Sequence, residues 1–262
     1  MTKKTAVLAL HGFTGCGEDF DGFSPLCHSL DHWHCPNLPG HGAQQSHLPI
    51  HCDPAATLQH LEATLTDCTP TPDFLIGYSM GARASLQFAL TNPARWKALI
   101  LISPNPGIQQ ASQRERRRIL DNALAERIER EGVPAFIQYW QETPLIQSQQ
   151  KIAAEHRARM QANRVQHCVR GLAASLREFG QGSCPNLQAR LSQLTMPILI
   201  LTGANDPQYT KIGTKMADHL PSAKHITIEG AGHMPHLEAP SASATAVDQF
   251  IETVQPRLPG SH

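Results

Sequence analysis

A serine between two glycines is the first residue whose surroundings suggest chemistry. Apolar residues 74–76 precede residues 77–81, which read Gly-Tyr-Ser-Met-Gly, and a helix-forming run follows. A strand, then Gly-x-Ser-x-Gly, then a helix predicts a sharp turn that exposes the hydroxyl of Ser79 at the end of the strand. Glycine is needed on both sides because a Cβ there would collide with the neighbouring strand or helix. Ser79 is therefore a candidate nucleophile or base.

A serine hydroxyl reacts poorly unless a histidine takes its proton and a carboxylate orients that histidine. Asp206 follows the predicted strand Ile198–Leu201, and His233 follows the predicted strand His225–Ile228. Both therefore lie at the sheet edge where Ser79 ends its own strand. Taken alone, Asp206 could be a turn aspartate and His233 one of 15 histidines. Their joint occurrence after strands predicts a catalytic triad.

Two backbone N–H groups are predicted to form an oxyanion hole. Met80, the residue after the serine, supplies one of them. The loop after the first strand, residues 10–15, reads Leu-His-Gly-Phe-Thr-Gly and supplies the other from Phe13. The glycines let the main chain turn close to a ligand, where N–H groups stabilise a developing negative charge.

Short apolar runs recur along the chain and predict parallel strands that are covered on both faces. The predicted strands are Ala6–Leu10, a segment near His32–Cys35, Asp73–Ile76, Ala98–Ile102, Ile198–Leu201 and His225–Ile228. The predicted helices include Ala55–Leu65, Met80–Thr91, Ser112–Glu131 and Ala244–Val254. This alternation predicts an α/β fold with a parallel sheet.

The stretch from about residue 104 to residue 194 breaks the alternation. It is rich in Gln, Arg and Glu, it reads as helical, and it contains no convincing strand. We expect an insertion over the carboxyl edge of the sheet, where ligands of α/β folds bind. The predicted organisation is a core of residues 1–103 and 195–262 with a helical cap of residues 104–194.

Composition excludes several classes of protein. Lys+Arg and Asp+Glu balance at 22 each, which disfavours nucleic acid or an anionic membrane as a partner. No apolar run approaches the ~20 residues of a membrane span, and the first apolar segment is too short for a signal peptide. We expect a cytoplasmic monomer or small homo-oligomer.

Metal binding is not expected. The seven cysteines are odd in number and lack C-x-x-C spacing, so neither a disulfide framework nor a zinc site is indicated. The histidine-rich segment that runs from His28 to His51 and includes His47 matches no known ligand spacing.

Four motifs together resemble the α/β-hydrolase superfamily over nearly the whole chain. They are residues 11–15 (His-Gly-Phe-Thr-Gly), 38–42 (Leu-Pro-Gly-His-Gly), 77–81 and 230–233 (Gly-Ala-Gly-His). That superfamily orders its triad as Ser, Asp or Glu, then His. Residues 78–83, 106–109, 139–144, 171–177 and 180–182 are similar to 2-succinyl-6-hydroxy-2,4-cyclohexadiene-1-carboxylate synthase, an enzyme family of menaquinone biosynthesis.

This narrower resemblance implies a lyase without a cofactor, in which the activated serine acts as a base and pyruvate is eliminated from a small polyanionic substrate. It also implies arginines that bind the substrate's carboxylates bidentately. The matching substrate-binding positions are Tyr78, Arg83, Arg117, Trp140 and Arg164, with Arg159 as an alternative to Arg164. An arginine run such as residues 114–118 can also be a solvated helix face, and Trp140 a core aromatic.

Some positions depart from the family pattern. Ala82 replaces a second glycine, residues 183–185 read Ser-Cys-Pro, and the first strand begins so early that we expect about six strands without an edge hairpin.

Two other functions stay open. One is a serine hydrolase of an ester or of a diketone carbon–carbon bond, and the other is a non-enzymatic ligand receptor. The arginines distinguish the lyase from the hydrolase, since a neutral ester needs none of them.

Overall fold

The computed structural model describes residues 5–43 and 50–255. Its six strands form one sheet in the order β2-β1-β3-β4-β5-β6, and all five neighbouring pairs are parallel. The strands are β1 (Ala6–Leu10), β2 (His32–His34), β3 (Phe74–Tyr78), β4 (Ala98–Ile102), β5 (Ile198–Gly203) and β6 (Ala223–Ile228). The predicted α/β fold with about six parallel strands is confirmed.

Helices connect the strands, together with short 3-10 turns. The α-helices are α1 (Pro54–Asp67), α2 (Met80–Ala89), α3 (Ala111–Glu131), α4 (Val133–Gln141), α5 (Pro144–Gln147), α6 (Ala154–Arg164), α7 (Val169–Phe179), α8 (Pro207–Ala217), α9 (Pro235–Glu238) and α10 (Pro240–Val254). Sequence analysis had not predicted α8. Within the described ranges, no helix is long and apolar enough to cross a membrane.

The central strands β1, β3, β4 and β5 are buried along their whole length, which explains their continuous apolar sequences. Alternate residues enter two different cores. Leu75 packs in the core that contains residues of α1, α2 and α8, whereas Ile76 packs in the core that contains residues of α10. The sheet is thus held rigidly from both faces, and its carboxyl edge is a fixed platform.

Residues 104–194, called here the helical segment, contain α3 to α7 and no strand. They build a small core of their own, in which Ile128, Phe136 and Leu172 are fully buried. Phe13, in the loop after β1, packs against both this core and the core under α2. The helical segment therefore rests on the loop that sequence analysis assigned to the oxyanion hole.

Candidate active site

Ser79 lies at the turn between β3 and α2. Its backbone has φ 51° and ψ −105°, a conformation that residues with a Cβ rarely adopt. The turn is tight because Gly77 and Gly81 flank it. A Cβ on Gly81 would collide with the backbone of Leu10, and one on Gly77 would collide with the backbone of Gly81. The hydroxyl is therefore presented at the end of β3 by a strained turn.

The structure brings Ser79, His233 and Asp206 together. Ser79 Oγ lies 3.0 Å from His233 Nε2, and His233 Nδ1 lies 2.7 Å from Asp206 Oδ2. His233 and Asp206 are buried, at 2% and 7% exposure. Because the carboxylate faces Nδ1, that nitrogen carries the proton in the neutral ring and Nε2 can accept the serine proton. This geometry allows serine-to-histidine proton transfer with a buried carboxylate to stabilise the imidazolium.

Tyr209, which sequence analysis missed, contacts both Asp206 and His233. Its backbone N–H donates to Asp206 Oδ1 at 3.1 Å, at the N-terminus of α8. Its ring packs edge-on against the imidazole of His233, with centroids 4.3 Å apart. Asp206 thus caps a helix with one oxygen and orients His233 with the other.

Glu238 was also missed, and it fixes the loop that contains His233. Its carboxylate accepts hydrogen bonds from the backbone N–H of Gly232 at 2.5 Å and of Met234 at 2.9 Å. It also accepts the hydroxyl proton of Ser148, a residue of the helical segment, at 2.8 Å. The main chain on either side of His233 is therefore held by one carboxylate, which also ties it to the helical segment.

The loop after β1 is held by a neutral histidine. His11 Nδ1 donates to the carbonyl oxygen of Gly12 at 2.8 Å, and Nε2 accepts the N–H of Leu38 at 2.9 Å. Burial lowers the pKa of His11 to about 4, so the ring remains uncharged near neutral pH. Both ring nitrogens are used, and this fixes the loop from which Phe13 projects.

The two N–H groups assigned to an oxyanion hole have no acceptor within the described protein. Met80 is the first residue of α2, so its N–H lacks a helical partner, and the dipole of α2 favours negative charge there. Phe13 lines the same small space as Ser79. Met80 is not among the residues that line this space, so of the two predicted N–H donors only Phe13 belongs to a residue that lines it.

Ser79 opens into a space of about 30 Å³, called here the chamber, which is also lined by Tyr78, Trp140, Arg164 and His233. A cavity of about 930 Å³, called the large cavity, shares Trp140 and His233 with the chamber. The chamber has room only for the reacting atoms of a ligand. The rest of a larger ligand must lie outside it, and the large cavity offers the space.

Arg164 and Arg159 have different surroundings. Arg164 is 6% exposed, lines the chamber and donates from Nη2 to Gln149 Oε1 at 2.8 Å. Its buried Nε has no partner among the described residues. Arg159 is exposed and pairs with Glu155 at 3.2 Å, one helical turn away. The geometry therefore favours Arg164 as the arginine that meets a ligand near Ser79.

Arg117 lines the large cavity. Its Nε forms a 2.7 Å ion pair with Asp121, and its Nη1 donates to Gln181 Oε1 at 3.0 Å. Gln181 in turn donates to the hydroxyl of Tyr209 at 2.9 Å. Arg117 is therefore linked through Gln181 to Tyr209, whose ring packs against His233.

Arg83 lies behind the site and lines neither the chamber nor the large cavity. Its Nη2 donates to the carbonyl oxygen of Phe179 at 2.8 Å, and its guanidinium carbon lies 5.4 Å from the centre of that ring. Its Nε is buried and has no partner in the described protein. The structure thus does not bring Arg83 together with Arg117 and Arg164 at the cavity walls.

Tyr78 and Trp140 form walls of the chamber. Tyr78 is buried, its ring centre lies 5.6 Å from that of His233, and burial raises its pKa well above the usual value. Trp140 stacks on Phe136 at 5.8 Å and meets Phe13 edge-on at 5.5 Å. Its indole Nε1 is buried, has no partner within residues 5–43 and 50–255, and is available as a donor.

Three side chains of the kind that bind metals lie close together elsewhere in the described part of the chain. Ligand atoms of His51, Asp53 and Glu178 lie within 4.8 Å of one another. Asp53 caps α1, and Glu178 accepts the N–H of Cys52 at 2.6 Å, so both carboxylates already have structural uses. His47, from the histidine-rich segment, lies outside the described residues.

A parallel α/β sheet with Ser79 at a strand-to-helix turn, and an aspartate and a histidine at the same edge, defines an enzyme of the α/β-hydrolase fold. The chain belongs to the Alpha/beta hydrolase family, whose model matches residues 7–246.

Relatives and solved structures give a finer likeness. The chain is 33% identical to a putative 2-succinyl-6-hydroxy-2,4-cyclohexadiene-1-carboxylate synthase of Bacillus subtilis, over 95% of this chain and 91% of the relative. It is 29% identical to the synthase of that name from Salmonella heidelberg, over 94% and 93%.

Among solved structures, MenH from S. aureus superposes with a TM-score of 0.89 at 30% identity, covering 96% of this chain and 94% of that one. A thermophilic esterase from Thermogutta terrifontis has a TM-score of 0.80 at 25% identity, covering 95% and 90%.

Proposed function

We propose that this protein is a lyase that eliminates pyruvate from 2-succinyl-5-enolpyruvyl-6-hydroxy-3-cyclohexene-1-carboxylate. The product is 2-succinyl-6-hydroxy-2,4-cyclohexadiene-1-carboxylate. The main supporting observation is that Arg164 lines the chamber of Ser79 while Arg117 lines the adjoining large cavity. Two guanidinium groups beside a Ser-His-Asp arrangement suit a substrate with several carboxylates. The names of the relatives support the same reaction.

The proposed reaction follows from comparing the double bonds of substrate and product. The substrate has a 3-ene and the product a 2,4-diene. A proton therefore leaves C2, beside the succinyl carbonyl, and its electron pair forms the 2,3 double bond. The 3,4 double bond shifts to the 4,5 position as the C5–O bond to the enolpyruvyl group breaks. The leaving enolate takes up a proton on carbon and becomes pyruvate, so atoms and charge balance without a cofactor.

The triad would move these protons. Ser79 accepts the C2 proton as its own hydroxyl proton passes to His233, and Asp206 stabilises the imidazolium. His233 then returns its proton to the leaving enolate. The N–H groups of Phe13 and Met80 would bind the succinyl carbonyl oxygen, on which negative charge develops when C2 is deprotonated.

The helical segment would act as a cap that selects the substrate. Arg117 and Arg164 bind carboxylates directly, and Tyr78 and Trp140 exclude water from the reacting carbon. Arg83 adds positive charge from behind the site, since its guanidinium stays charged when buried. In this proposal Arg83 influences affinity at longer range than the other two arginines.

Pyruvate release tests the proposal. The purified protein would be given the enzymatically generated enolpyruvyl precursor, with lactate dehydrogenase to report pyruvate. We expect rapid release that is lost in Ser79→Ala and kept in Ser85→Ala, a buried serine of α2 that packs against Gly77. Release no faster than the spontaneous background would overturn the lyase.

A serine hydrolase is the second candidate, and the likeness to the Thermogutta terrifontis esterase favours it. The same triad would then attack an ester or diketone carbonyl as a nucleophile. Turnover of short esters without pyruvate release would support this candidate. Turnover of neither class of substrate would favour a ligand receptor.

A further inference from the structure

The chamber of Ser79 has a second neighbour besides the large cavity. A groove of about 620 Å³, called here the rear groove, runs between α6 and the chain from Gln141 to Ile152. It shares Ile146, Gln149 and Arg164 with the chamber. The large cavity instead shares Trp140, Leu145 and His233 with the chamber. The chamber therefore adjoins open space on two different sides.

The two polar residues shared by the chamber and the rear groove, Gln149 and Arg164, are hydrogen-bonded to each other. Arg164 Nη2 donates to Gln149 Oε1 at 2.8 Å, and both residues are 6% exposed. The acceptor is a neutral amide, so the guanidinium charge is not cancelled by this contact. Arg164 Nε is buried and has no partner in the described protein. A carboxylate that reached this point would gain the charge-assisted contacts that the glutamine does not supply.

The rear groove is electrostatically suited to an anion. Its described lining contains two guanidinium groups, Arg157 and Arg164, and no carboxylate. Arg157 lies further out, where its Nη1 donates to the carbonyl oxygens of Gln150 and Ile152. No ion pair joins it to an acid among the residues that the structure describes. Asp19 lies on the chamber side of Arg164 and does not line the groove. The charges thus favour movement of an anion away from the chamber.

We propose that the rear groove is the exit route for the small 2-oxo carboxylate released in the chamber. This inference rests on the proposed function, because it needs a reaction that divides the substrate into a large and a small acid. The larger product occupies the large cavity and blocks that side. The small carboxylate displaces Gln149 from Arg164, passes the parted side chains, and is transferred to Arg157.

Filling the groove tests the route. Ala158 and Ala162 are both exposed on α6, but only Ala158 lines the rear groove. In Ala158→Trp we expect steady-state kcat to fall about tenfold, while the single-turnover rate of pyruvate formation stays unchanged. When this variant is mixed rapidly with excess substrate, pyruvate formation should show an initial burst whose amplitude equals the enzyme concentration. Ala162→Trp is the matched control and should behave as the wild type.

A second variant probes the charge without adding bulk. Arg157→Gln should weaken product inhibition by pyruvate about fivefold, because one of two guanidinium groups on the route is lost. The single-turnover rate should again be unchanged. An unchanged inhibition constant would count against the route.

The possible outcomes separate the two proposals. If the wild type releases no pyruvate, both the lyase and the exit route are overturned. If the wild type turns over and Ala158→Trp matches Ala162→Trp, the exit route alone is overturned. The route is also overturned if Ala158→Trp slows the single turnover as much as it slows kcat, since the groove would then affect chemistry and not release.

Discussion

The sheet edge and the helical segment contribute to the same site but hold their side chains in different ways. At the sheet edge, Asp206 caps α8 and binds His233, and the loop of His233 is clamped by Glu238. In the helical segment, Arg164 and Trp140 each keep a buried nitrogen with no partner in the described protein.

This difference suggests that the sheet edge provides the proton transfer and that the helical segment provides the ligand selectivity. The side chains of Ser79, His233 and Asp206 are hydrogen-bonded to one another before a ligand arrives, so proton transfer is preorganised. A buried donor without a partner costs about 1–3 kcal/mol, and a ligand oxygen that pairs with it recovers that cost. Under the proposed function, the helical segment therefore gains most when the substrate's carboxylates are bound, and it is the half that selects the substrate.

The largest expected effect comes from changing the charge and tautomer control at the sheet edge. In Asp206→Asn the amide still caps α8 but stabilises the wrong tautomer of His233. We expect kcat for pyruvate release to fall by about 10⁴ with little change in KM. Asp218→Asn, at the exposed end of α8, is the control. A loss of less than tenfold in Asp206→Asn would remove Asp206 from the triad.

The next largest effect should come from the helical segment. Arg164→Gln removes a guanidinium from the chamber, and kcat/KM for pyruvate release should fall about 100-fold. Arg159→Gln, on the same helix but paired with Glu155 at the surface, should stay within about twofold of wild type. Equal losses in the two variants would contradict the distinction between a selecting arginine and a surface arginine.

A smaller effect is expected where the two halves meet. In Glu238→Gln, one oxygen is replaced by an NH₂ group that cannot accept from the main chain around His233. We expect kcat to fall about tenfold with KM unchanged. Ser148→Ala should cost less, and the two changes together should cost less than the product of their separate effects, because they break one network. Independent effects would show that the helical segment does not position His233 through Glu238.

Stability should respond to pH through the buried loop of His11. The pKa of His11 is about 4 in the folded protein, against the ordinary value of 6.5 that applies to the unfolded chain, so the unfolded chain binds the extra proton first. The stability of the fold is therefore complete above pH 6.5 and falls as the pH drops toward 4, by about 3 kcal/mol for this group. Denaturant melts from pH 7.5 to 4.5 would measure the loss, and His11→Gln should reduce it. An equally steep loss in the variant would assign it to other buried histidines.

The sheet half of the site was predictable because parallel strands bring their carboxyl ends to one edge. Because Ser79, Asp206 and His233 each follow a parallel strand, all three lie at that edge. The contacts of Tyr209 and Glu238 were not predictable, since they depend on how the turns after β5 and β6 pack.

The helical half was harder for a geometric reason. Arg159 and Arg164 are separated by about 140° around α6, and nothing in the local sequence says which side faces Ser79. One signal was available: Met160, the buried apolar residue of α6, lies four residues before Arg164 and therefore on the same face. Arg83 shows the limit of position as a guide, because its side chain turns to Phe179 and lines neither the chamber nor the large cavity.

The backbone at Ser79 has a consequence for heat resistance. A residue with a Cβ held at φ 51° costs about 1–3 kcal/mol, whereas glycine adopts such angles freely. Ser79→Gly should therefore melt at a higher temperature than the wild type while losing its reactive hydroxyl. Thermal stability and catalytic activity therefore favour different residues at position 79. A screen for heat-tolerant variants run without an activity assay would favour molecules that had lost the hydroxyl on which the proposed function depends.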